Sequence, residues 1–238
     1  MLILKKFYYE KYHKKTYSLS NADILINYIF KNKKNGIYID VGCNHPIKYN
    51  NTYLLHKRGW MGINIDFDQT SIKIFNEFRK GDHNVCAAVS ADDKMKKLYV
   101  YHDRSTINTL SKELVDSRHT KPTKIIEKKS TSLNKIIEES PFKDKKINLL
   151  TIDVEGHEFD ILKSFNFSKY KVNLIAVELL DKNIDVLEIC KQNIDSVLKS
   201  DLYNLLTKNN YKLVNWIHSD LIFVRDDCCD NIKKEISE

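Results

Sequence analysis

Short apolar runs recur along the chain, and several close on an acid. Gly36 to Asn44 reads as a strand that ends at Asp40 and breaks into a turn at Gly42. Met61 to Asp66 repeats the pattern, as does Ile147 to Asp153, and Asn173 to Glu178 follows as a further apolar run closed by an acid. Asn84 to Val89 predicts a third strand, Leu98 to Tyr101 a short one, and Thr123 to Ser130 an irregular or extended stretch. Between these runs the apolar spacing is helical. Ser20 or Asn21 can cap a helix carrying Ile24, Leu25, Tyr28, Ile29 and Phe30, which Lys31 to Gly36 stops. Asn51 can cap a helix over Thr52 to Arg58, with Gly59 at its C′ position. Further helices are predicted over Thr70 to Arg79, His157 to Ser164 and Asp201 to Lys208. Tyr211 to Trp216 and Leu221 to Val224 form a closing, antiparallel pair. Strands alternating with helices predict an α/β fold with a doubly wound, mostly parallel sheet.

The 238 residues suit one such domain. Residues 1–35 are expected to form an N-terminal helical arm, 36–227 the main domain and 228–238 a tail. Hydrophobic content of 42% with 30% charged residues is ordinary for a soluble globular protein, and no apolar run reaches membrane-spanning length. The first residues have neither the apolar length nor the small-residue cleavage site of a secretion signal. Five cysteines, at 43, 86, 190, 228 and 229, include no C-x-x-C spacing. That pattern speaks against a disulfide framework and a structural zinc, and the expected compartment is the cytoplasm. The net charge of +7 is spread over lysines between the predicted elements. Neither an RNP motif, a zinc-finger spacing nor an arginine-rich arm accompanies it, so no specific nucleic-acid partner is expected.

Charge at the first turn separates cofactor classes. A dinucleotide would place pyrophosphate there, where Asp40 repels it; the ammonium and sulfonium of S-adenosylmethionine would be attracted. Pro46 stands where a third glycine might sit, so no G-x-G-x-x-G exists. Gly42 lets a cofactor approach where a Cβ would clash. Asp66 lies at the distance expected of a carboxylate gripping both ribose hydroxyls, and Phe67 is placed to pack on adenine. Asp153, Glu155, His157 and Glu158 put three acids and a histidine at the mouth of the sheet, more than capping the following helix requires.

The I-D-V-G-x-N turn, the acid in G-I-N-I-D, N-T-L-S-K-E at Asn108 to Glu113 and I-D-V-E-G-x-E at Ile152 to Glu158 together resemble the FkbM-type methyltransferases. The likeness covers roughly Asn35 to Leu180. It implies a Rossmann-like class I fold that uses S-adenosylmethionine to methylate hydroxyls of sugars, glycans or related small molecules. It also implies that Asp40, Gly42 and Asn44 hold the methionine end of the donor, that Asp66 holds its ribose, and that Cys86 and Ala87 border adenine. Asp153 and Glu155 would stand at the reaction centre, and Asn108 and Thr109 in a loop over the acceptor. His157 is a further acceptor-side candidate, and His45 stands beside the donor turn. Pro46 departs from the glycine of many members.

A sugar hydroxyl is a poor nucleophile, so a general base is expected, with Asp153 first and Glu155 supporting it. The alternative is a divalent cation such as Mg²⁺ on Asp153, Glu155 and Glu178, lowering the hydroxyl pKa. Competing readings are methylation of RNA or protein, and a non-catalytic module of a glycan-assembly complex. Oligomeric state is left open, a homo-oligomer included.

Overall fold

The computed structural model describes residues 15–180 and 193–228. Residues 1–14 of the expected arm, Cys190, Cys229 and the rest of the expected tail lie outside the described residues. In chain order the first half comprises α1 (Ala22–Ile29), β1 (Ile37–Val41), α2 (Tyr53–His56), β2 (Met61–Asp66), α3 (Gln69–Phe78), β3 (His83–Cys86), β4 (Ala88–Val89) and β5 (Met95–Val100). Next come α4 (Lys112–Ser117), β6 (Lys124–Thr131), α5 (Leu133–Glu139), β7 (Ile147–Ile152), α6 (Glu158–Ser164), α7 (Phe167–Tyr170) and β8 (Leu174–Glu178). After the second described segment begins, α8 (Ile194–Leu198), α9 (Asp201–Lys208), β9 (Tyr211–Ile217) and β10 (Asp220–Arg225) close the fold.

Seven strands make one sheet in the order β3-β2-β1-β7-β8-β10-β9, parallel from β3 to β8. β10 runs antiparallel to both β8 and β9. A second sheet, β4-β6-β5, stands apart from it.

Both faces of the large sheet are buried along its central strands, as parallel strands require. Period-two alternation sorts the side chains between them. Ile39, Val41, Leu150, Ile152, Ile175 and Val177 pack with α5, α6 and α9 through Ile136, Leu162 and Leu206. Tyr38, Leu149, Leu174, Ala176 and Ile222 face the other way, where Ala22 and Ile26 of α1 cover them together with Leu55 and Trp60. The helix expected in an arm is thus built into the core of the sheet.

Several elements differ in detail from the sequence expectation. Asn21, a candidate cap, sits at φ 67° with no side-chain cap bond, while the hydroxyl of Ser20 accepts from Ala22 N at 3.2 Å. The helix expected over Thr52 to Arg58 is a single turn, after which Arg58 N and Gly59 N donate to Leu55 O and His56 O, three residues back, at 2.9 Å. Gly59 does adopt positive φ, at +88°. The predicted third strand is two strands. Ala87 donates its amide to Asp66 O at 2.9 Å and divides β3, in the large sheet, from β4, in the small one.

Candidate functional site

Strand register sets the site. Val41 is level with Ile65 and with Ile152, and Ile152 with Val177. The next residue of each strand therefore falls in one row along the carboxyl edge: Asp66, Gly42, Asp153, Glu178. Asp220, paired with Glu178 across the antiparallel β10, extends the row. Adjacent strands stand about 4.8 Å apart, so Asp66 and Asp153 are separated by two spacings, about 10 Å. Above this row lies a cavity of about 420 Å³, walled also by Asn44, Phe67, Ala87, Asn108, Thr109 and Glu155. That size is in the range of small-molecule pockets.

The turn after β1 is held tightly. Gly42 and Cys43 donate their amides to Ile65 O at 2.9 and 3.1 Å, and Asp153 donates to Val41 O at 2.9 Å. Gly42 has φ +81°, and a Cβ built on it would stand 1.7 Å from the carbonyl oxygen of Asp153. Only glycine fits. Asn44 follows at φ 48° and donates its amide to Asp66 Oδ2 at 2.9 Å, while Asp66 Oδ1 accepts from Asp68 N at 2.7 Å. Burial pushes the Asp66 carboxyl up to about 6, against those backbone donors.

Asp40 is placed differently from Asp66. Alternation turns it to the face of Tyr38, under the segment 43–52, where its Oδ2 accepts from Asn50 Nδ2 and the Thr52 hydroxyl, both at 2.9 Å. It is not on the cavity wall. Arg79, fully buried, completes this layer. Its guanidinium donates to Pro46 O at 2.9 and 2.7 Å, to Asn50 Oδ1 at 2.7 Å and to the Tyr38 hydroxyl at 2.9 Å. Asp40 and Arg79 together shape the loop from beneath. His45 belongs to the same loop, its Nδ1 accepting from Ile47 N and Lys48 N at 3.1 Å.

At the other end of the cavity acids crowd together. Asp153 opens onto it, and burial by the surrounding walls, then Glu155 and Asp220, push its carboxyl up to about 8. Glu155 is raised to about 7 by burial, although Arg118 pairs with it directly. Its backbone is left-handed at φ 59°, and its carbonyl accepts from the Thr109 hydroxyl at 2.6 Å. Glu158, also raised to about 7 by burial, is a brace rather than a wall: its Oε1 accepts from Val154 N and Gly156 N at 2.9 and 3.1 Å. Glu178 is raised well above the carboxylate range, by burial and then by Asp153.

Asn108 and Thr109 line the cavity, yet their polar atoms hold the loop itself: Asn108 Oδ1 accepts from Tyr101 N at 2.8 Å and Thr109 pairs with Tyr99. Besides Asp40, two further candidates lie off the wall. His157 is engaged by Ser90 Oγ at 3.0 Å and Asp160 at 3.2 Å, and the Cys86 thiol donates to Phe67 O at 3.4 Å. Arg118, Asp220 and Arg79 carry no distinguishing pattern in the sequence. Only tertiary contacts mark them.

A row of strand-end acids beside a glycine turn, over a cavity of this size, is an arrangement that can be compared with known proteins. The profile of the Methyltransferase FkbM domain matches residues 40–213, and the chain belongs to that family. No curated protein matches it. Among solved structures, the crystal structure of monomeric WbdD is similar with a TM-score of 0.46 and 11% identity, over 88% of this chain. The chain spans 42% of the length of that protein. Among the described residues no helix is long and apolar enough to cross a membrane.

Proposed function

We propose that the chain is an S-adenosylmethionine-dependent O-methyltransferase with a Rossmann-like class I fold, acting on a hydroxyl of a sugar, glycan or related small molecule in the cytoplasm. One observation carries the reading: the carboxyl-edge row, with Asp66 at one end and Asp153 with Glu178 at the other, on one cavity. The donor lies along it, ribose hydroxyls on Asp66 and adenine between Phe67 and Ala87, with Cys86 behind them. Gly42 and Asn44 border its methionine part, and Asp40 acts from below through the loop it holds. The walls favour a cation. At about 4 Å and an effective dielectric of ~20, a phosphate charge beside one carboxylate costs about 4 kcal/mol, whereas a sulfonium gains as much.

Chemistry then follows from placement. The acceptor oxygen, the methyl and the sulfur are aligned over Gly42 and Asp153, which supplies much of the acceleration. Oxygen forms its bond to the methyl carbon as the carbon–sulfur bond breaks. Sulfur keeps the electron pair and leaves as a neutral thioether, and the hydroxyl proton passes to Asp153. Desolvation by the walls and the neighbouring acids raise the proton affinity of Asp153, whose side chain is exposed to the cavity. The incoming positive charge of the donor draws it back toward ionisation, so donor binding readies the base. Glu155, fixed by Arg118, orients the acceptor, with Asn108 and Thr109 shaping the loop above it.

The test is mass spectrometry of acceptor panels, nucleotide sugars and surface glycans, incubated with the protein and S-adenosylmethionine. Gain of one methyl group on an oxygen is expected. Absence of both methyl gain and calorimetric binding of S-adenosylmethionine would leave a fold without the activity, the role of a scaffold.

A further inference from the structure

Asp153, Glu155 and Glu178 each offer one carboxylate oxygen, and the three oxygens lie within 4.8 Å of one another. Acidic clusters are common on protein surfaces, but this one contains a buried carboxylate oxygen that no N–H or hydroxyl of the described residues reaches. Glu178 is 8% exposed, and its Oε2 has no hydrogen-bond partner. A buried carboxylate oxygen is normally satisfied, and two carboxylates held this close need either a proton shared between Asp153 and Glu178 or a cation in its place. Register brings the atom there: Glu178 ends β8 beside Asp153, with Asp220 on its other flank.

The neighbours hold the ligands without filling the space between them. Arg118 pairs with the Glu155 carboxylate, the Thr109 hydroxyl pins its backbone, and Glu158 fixes the Val154 and Gly156 amides on either side. Bound cations are usually supported in this way by groups that orient the ligands. We propose that these three carboxylates form a site for a hard divalent cation of the Mg²⁺, Mn²⁺ or Ca²⁺ class, which holds the acceptor hydroxyl.

The donor set and dimensions agree with that class. No imidazole or thiolate is among the three ligands, and all-oxygen sets suit Mg²⁺, Ca²⁺ and Mn²⁺. Ligands opposite one another span about 4.2 Å around Mg²⁺ and about 4.6–5.2 Å around Ca²⁺. Oxygens already within 4.8 Å need only side-chain settling to close on either ion. In the reaction the acceptor oxygen would enter a remaining coordination position, which lowers its pKa. Its proton passes to the uncoordinated oxygen of Asp153 while the methyl moves from sulfur to oxygen, so the charge and atom balance of the transfer is unchanged. This role rests on the methyltransferase reading; the binding of the ion does not.

The experiment uses the full chain, stripped with chelator and desalted, and Mn²⁺ as the probe, with free Mn²⁺ read by electron paramagnetic resonance. One saturable Mn²⁺ per chain is expected, displaced by Mg²⁺ or Ca²⁺, and weakened at least tenfold in Glu178→Gln. Arg118→Lys, which keeps the positive charge, is expected to weaken it less. Adenosylhomocysteine binding is measured by calorimetry on the same chelated samples. If the wild-type chain takes up no Mn²⁺, or if a folded Glu178→Gln binds it as tightly, the cation site is overturned. Donor binding that persists in chelator then leaves the methyltransferase reading standing. Ion uptake without donor binding would instead sink the methyltransferase reading alone. Methyl transfer undiminished in chelator would remove the ion from the reaction.

Discussion

Replacing Gly42 with alanine tests how the strand ends build the cavity. The added Cβ would stand 1.7 Å from the Asp153 carbonyl oxygen, 2.7 Å from its carbonyl carbon and 3.3 Å from Val154 Cγ1. Separations below 3.0 Å are essentially never seen for a real Cβ. The ends of β1 and β7 must therefore part by more than an ångström. Neither can move freely, because Asp153 N bonds Val41 O and Gly42 N bonds Ile65 O, both at 2.9 Å. Losing those two bonds costs about 0.5–1.5 kcal/mol each. The φ of +81° adds about 1–2 kcal/mol for a residue with a Cβ. The sum is on the order of 2–5 kcal/mol, a large part of the stability of one domain.

Gly59 supplies the control. It has φ +88°, but nothing lies within 4 Å of where an alanine Cβ would stand, so Gly59→Ala carries the conformational cost without the collision. Urea unfolding should show Gly59→Ala down by about 1–2 kcal/mol with unchanged affinity for adenosylhomocysteine. Gly42→Ala should lose more stability and bind that ligand at least tenfold more weakly, since tenfold corresponds to only about 1.4 kcal/mol. If the two variants were equally stable and bound the ligand alike, close approach of the two backbones would not be what Gly42 provides.

Three further outcomes are expected. Asp66→Ala should weaken adenosylhomocysteine binding by at least tenfold in calorimetry, because it removes the proposed ribose acceptor and frees the Asn44 and Asp68 amides. Arg79→Met should cost about 3–5 kcal/mol in urea unfolding, since it leaves Asp40 buried without its counter-charge and the Pro46 carbonyl without its donor. The pH dependence has a definite sign: Asp153, Glu155 and Glu158 bind their protons more tightly folded than unfolded, at about 8, 7 and 7. Their contribution is complete below the unfolded carboxylate range and is lost as pH climbs toward about 8, so the ligand-free melting temperature should fall across that window. Asp153→Asn should flatten the upper part of that fall and abolish methyl transfer, while leaving donor affinity within a few-fold.

How far the sequence reaches depends on where burial is encoded. β1, β2, β7 and β8 are legible because both faces are covered, which makes each a nearly unbroken apolar run. β6 is not. Six of its eight residues are lysine, glutamate, serine or threonine, and Ile125 and Ile126 are 56% and 41% exposed, so no alternation marks it as a regular strand. The helix α5 is absent from the sequence expectation although Ser132 caps it and Leu133, Ile136 and Ile137 recur at helical spacing. That signal is present and local. Asp66, Gly42 and Asp153 can be found because strand ends and a glycine turn locate them without tertiary knowledge. Arg79 and Arg118 cannot, since nothing local distinguishes a buried, paired arginine from an exposed one.

The electrostatic selection of the proposed donor also rests on residues other than the one that suggests it. Along the chain, Asp40 is the acid nearest the glycine turn and would be the group that repels pyrophosphate. In three dimensions its charge is spent on Asn50, Thr52 and the nearby Arg79, one layer beneath the turn. A buried carboxylate offset by a guanidinium projects little field into the cavity. Asp66, Asp153, Glu155 and Glu178 face that cavity, with Arg118 set against only one of them. Their raised proton affinities record the mutual repulsion and burial that a bound cation would relieve. On the proposed reading, preference for a positively charged donor follows from the edge of the sheet as a whole. Neutralising Asp40 should alter the loop and stability more than the choice between cationic and phosphorylated ligands, whereas neutralising Asp153 or Glu178 should alter that choice directly.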